Sequence, residues 1–261
     1  MKIVILQTDI CWANPAENRA RAEKMIEGYG EADLFVLPEM FSTGFCTQPR
    51  GIAESAESET LQWMKRKAAE RNCAIAGSVA VEEEGKFYNR FYFVHPDGKI
   101  QYYNKRHLFT YGGEHKQFTP GTERVIVSYR GVRFLMQICY DLRFPVWSRN
   151  RGDYDVAIYV ASWPVPRIEA WKALLRARAI ENQCYVVAVN RVGDDPNCKY
   201  CGGSAVIDPY GTTITACEDN LACGAEAVIN LDALGEFRKK FPVMGSLRKC
   251  RREKFSAEIA N

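Results

Sequence analysis

The chain has 261 residues, of which 47% are hydrophobic, and a formal net charge of +3. This hydrophobic fraction supports a large core, and so small a net charge argues against a dedicated binder of nucleic acid or membrane surfaces. No apolar stretch is long enough to span a membrane. We expect one domain over residues 1–261, with a C-terminal tail from about residue 243. Its basic cluster at 248–254 is short and lacks interleaved aromatic residues, which favours a solvated tail or an arm on a partner subunit.

Apolar runs and turn residues predict alternating strands and helices along the chain. The run after Met1 stops at Gln7, which is too short for a signal peptide and typical of a first strand. Asn14-Pro15-Ala16-Glu17 predicts a helix start, with asparagine as the cap and proline in the first turn. Two further helices are predicted at 58–71 and 167–183. Strands are predicted at 74–81, 87–95, 99–104, 132–138, 155–161, 185–190, 204–207, 212–216 and 225–230.

The helix predicted at 167–183 has an apolar side, which we expect to be buried. That side would carry Ile168, Trp171, Leu174 or Leu175, and Ile180. Strands with helices that cover both outer sides suggest a layered α/β sandwich.

Three residues with chemically useful side chains follow apolar, strand-like runs. Glu39 comes shortly after one run, Lys105 directly after a second, and Cys139 directly after a third. Ligand sites in α/β folds lie at the carboxyl ends of strands, so these side chains are candidates for one site. A helix predicted to begin after Cys139 would present amides that stabilise its thiolate.

An acid, a cation and a thiol in this order suit acyl transfer from an amide. Taken singly, Lys105 is better explained as a surface lysine and Cys139 as an inert core residue, and the alternative for Glu39 is a helix cap or an ion pair with an arginine. Taken together, they predict a thiol nucleophile, a carboxylate that moves its proton, and an ammonium that stabilises the oxyanion. The backbone amide of Tyr140 is the expected second oxyanion donor. No metal or organic cofactor is expected.

Three motifs carry a resemblance to the nitrilase (carbon–nitrogen hydrolase) superfamily. They are Leu37-Pro38-Glu39-Met40-Phe41, Lys105-Arg106-His107-Leu108-Phe109, and the segment 139–145, CYDLRFP. The resemblance implies that Glu39, Lys105 and Cys139 are catalytic and that Glu114, in Gly112-Gly113-Glu114-His115, is a second, structural glutamate. It also implies a four-layer α-β-β-α sandwich and a homodimer formed through the helices.

Within that superfamily the chain resembles the bacterial omega-amidases. The similar stretches are 139–151, 161–164 with Pro166-Arg167, and 177–183. Omega-amidases hydrolyse 2-oxoglutaramate and 2-oxosuccinamate to the 2-oxo diacids and ammonia, so a small amide is the expected partner. The alternatives are an N-carbamoyl amino acid amidohydrolase, a nitrilase proper, and a non-catalytic binding protein on the same fold.

A substrate of this class carries a carboxylate, which needs a cation in the pocket. Arg143 lies four residues after Cys139, about one helical turn on, and its guanidinium fork suits a carboxylate. The alternative is a structural pair with Asp141 or Glu181. Arg167 is a second candidate cation, and Trp163 is expected to form part of the pocket wall.

The chain contains 10 cysteines and no predicted signal peptide, which favours reduced thiols in the cytoplasm. Cys198-x-x-Cys201 lacks a second such pair and a histidine at zinc-finger spacing, so we expect no zinc site. Gly193 and neighbouring turn residues predict a loop around this pair rather than a helix start, which argues against a redox motif. The competing hypothesis is a metal-binding or redox module built on the two cysteines.

Overall fold

The computed structural model describes residues 1–243, which contain 15 strands and five helices. The first half comprises β1 (Lys2–Gln7), α1 (Pro15–Glu27), β2 (Leu34–Val36), β3 (Glu54–Ser55), α2 (Glu59–Glu70), β4 (Ala74–Glu83), β5 (Lys86–Val94) and β6 (Ile100–Asn104). The cap residues follow the predicted chemistry. The side chain of Asn14 accepts a hydrogen bond from the Glu17 amide, and that of Ser58 accepts one from the Leu61 amide.

The second half continues the alternation of strands and helices. It comprises β7 (Ile126–Tyr129), β8 (Val132–Ile138), α3 (Pro145–Ser148), β9 (Val156–Val160), α4 (Ile168–Asn182), β10 (Tyr185–Val189), β11 (Val192–Asp194), β12 (Lys199–Cys201), β13 (Ala205–Ile207), β14 (Thr213–Ala216), β15 (Cys223–Val228) and α5 (Leu231–Lys240). Short 3-10 turns occupy Thr110–Gly112, Glu114–Lys116, Cys139–Arg143 and Val165–Arg167.

Two large sheets form the centre of the molecule. One has the order β15-β1-β2-β4-β5-β6, with β3 also paired to β4, and the other has the order β14-β13-β10-β9-β8-β7. In each sheet three neighbouring strands are parallel: β1, β2 and β4 in the first, and β8, β9 and β10 in the second. The carboxyl ends of the parallel strands within each sheet therefore lie along one edge of that sheet, where ligand sites form in α/β folds.

Alternate residues of each strand pack into different layers. In β1, Ile3 and Ile5 face the core between the sheets, whereas Val4 and Leu6 pack with α1 and α2 on the outside. A third cluster lies between the outer face of the second sheet and Trp171 and other residues of α4. Helices thus cover the outer faces of two stacked sheets, which confirms the predicted four-layer α-β-β-α sandwich.

The structure corrects several local predictions. Trp171 and Leu175 are buried as expected, but Ile180, expected on the same side of the helix, is 50% exposed, and Arg178 and Ala179 are buried in its place. The loop expected around Cys198 is the two-stranded hairpin β11–β12. The basic cluster and most of the tail expected from about residue 243 lie outside the described residues. In the described part of the chain, no helix has the length and hydropathy needed to cross a membrane.

Candidate active site

Glu39, Lys105 and Cys139 converge, although they follow strands that are distant in the sequence. Glu39 lies shortly after β2, Lys105 directly after β6, and Cys139 directly after β8 in the opposite sheet. A hydrogen bond at Glu39 connects the two sheets. One of its carboxylate oxygens accepts a 2.8 Å hydrogen bond from the amide of Ser162, which lies just past β9 of the second sheet. The predicted grouping is therefore present in the tertiary structure.

Lys105 lies between two carboxylates in a cluster shielded from water. Its Nζ is 2.9 Å from Glu39 Oε1 and 2.9 Å from Glu114 Oε2, and all three side chains are fully buried. Glu114 also accepts a hydrogen bond from the Phe109 amide at 2.5 Å. Lys105 is thus an interior cation with a fixed position, and the surface-lysine interpretation is wrong.

Asn89 and Ser78 complete this cluster and were not identified from the sequence. Asn89 Nδ2 donates to Glu39 Oε1 at 2.8 Å and to Glu114 Oε1 at 3.1 Å. Ser78 Oγ in turn donates to Asn89 Oδ1 at 3.0 Å. Both residues face inward from neighbouring strands, β4 and β5, and no sequence motif marks them. The amide of Asn89 therefore bridges two carboxylates that would otherwise repel each other.

The charges in this cluster influence one another. Burial alone would lower the pKa of Lys105, but the carboxylates of Glu114 and Glu39 outweigh burial and raise it. Burial raises the pKa of Glu114, Lys105 lowers it and Glu39 raises it, with a net increase. The two carboxylates therefore favour the charged form of the lysine, and Glu114 holds a proton more tightly than an ordinary glutamate.

Cys139 occupies a strained position at the strand end. It has a positive φ of 44°, and Met40, which follows Glu39, has a φ of 43°. Both are side-chain-bearing residues in the left-handed region, a conformation that surrounding contacts must maintain and that is concentrated at functional sites. The residue as a whole is partly exposed, and its thiol, which lies on the buried side, interacts with the Glu39 carboxylate.

The prediction that helix amides stabilise a Cys139 thiolate is wrong. Cys139 begins a five-residue 3-10 turn, not the predicted longer helix. Burial raises the pKa of the thiol well above its ordinary value and Glu39 raises it further, while Lys105 only partly opposes them. The resting thiol is consequently neutral, and its proton must leave when the sulfur reacts.

Asp141 holds the Lys105 and Cys139 segments together. Its carboxylate accepts hydrogen bonds from the Ile138 amide at 2.9 Å, the Tyr103 hydroxyl at 2.8 Å, and His107 through the amide at 3.0 Å and Nδ1 at 2.8 Å. Asp141 is fully buried, so these bonds are protected from water. It therefore has no role as an ion-pair partner of Arg143.

A cavity opens beside Cys139, and both candidate arginines line it. The Arg143 guanidinium lies 5.0 Å from the centre of the Trp163 ring, and the Arg167 guanidinium lies 5.3 Å from that of Phe109. The cavity is lined by Phe45, Phe109, Cys139, Tyr140, Arg143, Ser162, Trp163, Pro164, Arg167, Cys198 and Tyr200. Cation–aromatic contacts of this kind position guanidinium groups without neutralising them.

Within residues 1–243, neither arginine forms a salt bridge. The alternative partner of Arg143 was Glu181, which instead contacts Arg178 at 2.9 Å and Arg149 at 3.7 Å. The structural-pair interpretation of Arg143 is therefore wrong. Trp163 is held in the wall by Asn190, which bonds both its amide and its carbonyl, a contact not anticipated from the sequence.

The segment that contains the Cys198-x-x-Cys201 pair forms part of the cavity wall. Cys198 and Tyr200 line the cavity from the β11–β12 hairpin. The Tyr200 ring packs 4.6 Å from the buried Arg191 guanidinium, and its hydroxyl donates to Asp195. Among the described residues, no group of three or more His, Cys, Asp or Glu side chains is arranged to hold a metal ion. The hairpin is thus a wall of the cavity.

Comparison with known proteins shows which family and which relatives the chain resembles. Residues 2–239 match the family model described as carbon-nitrogen hydrolase. The chain is 46% identical to omega-amidase YafV of Escherichia coli K12, covering 93% of this chain and 94% of that protein. It is 37% identical to 2-oxoglutaramate amidase of Bacillus subtilis, covering 95% and 97%. A crystal structure of a CN-hydrolase superfamily protein from Xanthomonas campestris superposes with a TM-score of 0.92 at 42% identity, covering 94% and 96%.

Proposed function

The chain belongs to the carbon–nitrogen hydrolase family, and from that premise we propose that it is an omega-amidase. Its substrates would be 2-oxo dicarboxylic acid monoamides, namely 2-oxoglutaramate and 2-oxosuccinamate, and its products the 2-oxo diacid and ammonia. The observation that carries this proposal is the buried Glu39–Lys105–Glu114 cluster beside Cys139, facing a cavity with two guanidiniums. Relatives named for these activities share 37–46% of the sequence.

The first half-reaction forms a thioester. Glu39 takes the proton of Cys139 as the sulfur attacks the amide carbon, because the thiol is neutral in the resting enzyme. The negative charge that develops on the amide oxygen is stabilised by the ammonium of Lys105 and the backbone N–H of Tyr140. Glu39 then returns its proton to the departing nitrogen, and ammonia leaves as the carbon–nitrogen bond breaks.

The second half-reaction uses water in place of the thiol. Glu39 accepts a proton from the water as its oxygen attacks the thioester carbon, and Lys105 again stabilises the oxyanion. Collapse of this intermediate breaks the carbon–sulfur bond, and the sulfur regains a proton. The products are a carboxylic acid and an unchanged enzyme.

Glu114 and Asn89 would act by positioning Lys105 and Glu39. Glu114 contacts the ammonium with both oxygens, at 2.9 Å and 3.2 Å, so it limits the directions in which Lys105 can point. The Asn89 amide fixes the relative positions of the two carboxylates. An oxyanion donor held in place before the reaction costs no reorganisation when the charge develops.

Arg143 is the proposed partner of the substrate carboxylate, and Trp163 supports it. The guanidinium has no salt-bridge partner within residues 1–243, lines the cavity with Cys139 and stacks on the Trp163 ring. A planar fork of donors binds a carboxylate through two charge-assisted hydrogen bonds. Arg167 supplies a second positive charge in the same cavity.

A substrate panel tests the proposal. Ammonia release is measured for 2-oxoglutaramate, for a neutral aliphatic amide and for an N-carbamoyl amino acid. We expect clear preference for 2-oxoglutaramate, with no carbon dioxide. Equal hydrolysis of the neutral amide would refute the omega-amidase assignment. Carbon dioxide together with ammonia from the third compound would identify a carbamoylase, and no hydrolysis by intact enzyme would favour a binding protein.

We further propose a cytoplasmic homodimer of single-domain chains. Apolar side chains lie exposed near α4 and β14: Ile180 at 50%, Tyr210 at 64% and Ile214 at 43%. A glutamate at both Ile180 and Ile214 should convert the dimer to a monomer in light scattering, while Val228→Glu on β15 should not. A wild-type monomer would refute the dimer. Localisation of the tagged chain outside the cytoplasm would refute the proposed cytoplasmic location.

A further inference from the structure

Two cysteines outside the proposed active site lie where the chain crosses between the sheets. Cys217 directly follows β14 of the second sheet, and Cys223 is the first residue of β15 in the first sheet. Cys217 Sγ is 3.6 Å from the carbonyl oxygen of Cys223. Both side chains pack with the core between the sheets. Residues 218–222 form the connecting loop.

A buried polar network fixes the backbone on both sides of this pair. Gln7, which is fully buried, donates through Nε2 to the carbonyls of Glu218 at 2.8 Å and Leu221 at 2.9 Å. The amide of Cys217 donates to the carbonyl of Ser204 at 3.0 Å. Because the loop is anchored at several points, the Cys217 thiol is held next to Cys223, with which it interacts.

The two thiols differ in accessibility, which sets the order in which they react. Cys223 is partly exposed, whereas Cys217 is 7% exposed. Burial raises the pKa of the Cys217 thiol to about 12, and the neighbouring Cys223 adds to the increase. A reagent in solution therefore meets Cys223 first, and Cys217 is placed to attack the product.

We propose that Cys217 and Cys223 are a dithiol site that forms an intramolecular disulfide by exchange with a small-molecule disulfide. The Cys223 thiolate attacks one reagent sulfur, and one small thiolate leaves with the electrons of the broken bond. Cys217 then loses its proton and attacks the Cys223 sulfur, which releases the second small thiol. The protein loses two electrons and two protons, and the reagent becomes two thiols. The new bond ties an edge strand of one sheet to an edge strand of the other.

Cys201 is the competing thiol. It is partly exposed, and its carbonyl accepts a hydrogen bond from the amide of Asn220 in the same loop at 2.9 Å. Cys201→Ser therefore serves as the matched control, since it removes a neighbouring thiol and leaves the pair intact.

The experiment uses the folded full-length Cys139→Ala protein, so that the active-site thiol does not react, and oxidised glutathione. The sequence contains no Lys or Arg between residues 200 and 237, and Glu218 and Asp219 separate Cys217 from Cys223. Digestion with trypsin and a protease specific for acidic residues should leave two fragments joined by a disulfide that separate on reduction. The melting temperature should rise by on the order of 5 °C, because the unfolded chain is constrained.

Serine variants, each added to Cys139→Ala, show which two cysteines form the disulfide. The joined fragments should persist in Cys201→Ser. They should be absent from Cys217→Ser, in which glutathione remains attached to Cys223. Loss of the joined fragments when Cys201→Ser is added to Cys139→Ala would overturn the proposal, and so would a Cys139→Ala protein that retains only glutathione on Cys223. No amide substrate is involved, so the outcome does not depend on the proposed catalytic activity.

Discussion

Lys105→Met tests the centre of the proposed mechanism. The substitution removes an ammonium whose Nζ contacts Glu39 at 2.9 Å and Glu114 at 2.9 Å and 3.2 Å. Loss of one oxyanion donor lowers kcat by about 10²–10³. The same change leaves two buried carboxylates without their cation, and breaking a buried pair in this way costs roughly 3–5 kcal/mol of unfolding free energy.

A double variant separates catalysis from stability. Glu114→Gln added to Lys105→Met removes one carboxylate as well, and its amide oxygen can still accept the Phe109 hydrogen bond. Substitutions of two residues in direct contact usually interact by about 0.5–3 kcal/mol of unfolding free energy. The double variant should therefore lose less stability than the sum of the losses measured for the two single variants. Its rate of ammonia release should stay low, because the oxyanion donor is still missing.

The assays are urea unfolding and ammonia release from 2-oxoglutaramate. Lys86→Met is the matched control, because Lys86 is an exposed residue at the start of β5 and should retain both stability and activity. A Lys105→Met enzyme with a rate within a few-fold of wild type would refute the role of Lys105. Purely additive stability losses would show that Lys105 and Glu114 do not interact energetically.

Further predictions concern four other residues. Cys139→Ala should abolish hydrolysis while the fold persists, and in the wild-type enzyme a slow substrate should leave an acyl adduct on Cys139 alone. Because the pKa of this thiol is raised, the rate at which it is alkylated should keep increasing with pH beyond the range in which an ordinary thiol ionises. Glu39→Gln should lower kcat sharply, and near-normal turnover would mean that another group moves the proton. Arg143→Lys should raise KM for 2-oxoglutaramate about tenfold with little change for a neutral amide, and equal losses would make Arg143 structural. The two carboxylate oxygens of Asp141 accept four hydrogen bonds, and asparagine keeps only one of these oxygens. Asp141→Asn should therefore lower the unfolding free energy by about 1–3 kcal/mol and also lower kcat. An unchanged kcat would show that Asp141 contributes only to stability.

Local sequence patterns were sufficient to predict the elements that depend on nearby residues. The cap at Asn14 and the proline beside it predicted α1, and apolar runs predicted most strands of both sheets, because capping and burial act over a few positions. They failed where a long-range contact decides the outcome. In the β11–β12 hairpin, Tyr200 packs against the buried Arg191 guanidinium, and no local pattern identifies that contact.

By itself, the sequence determined which side chains are proposed to be catalytic and that they follow strands, as Glu39, Lys105 and Cys139 show. Only the tertiary structure decided what those groups can do. Asn89 and Ser162, distant in sequence, supply hydrogen bonds to Glu39. Burial together with Glu39 keeps the Cys139 thiol neutral, and the engagement of Asp141 and Glu181 with other partners leaves Arg143 facing the cavity. The physical reason is that burial and charge depend on every neighbouring group in space, whereas a sequence pattern reports only on neighbours along the chain.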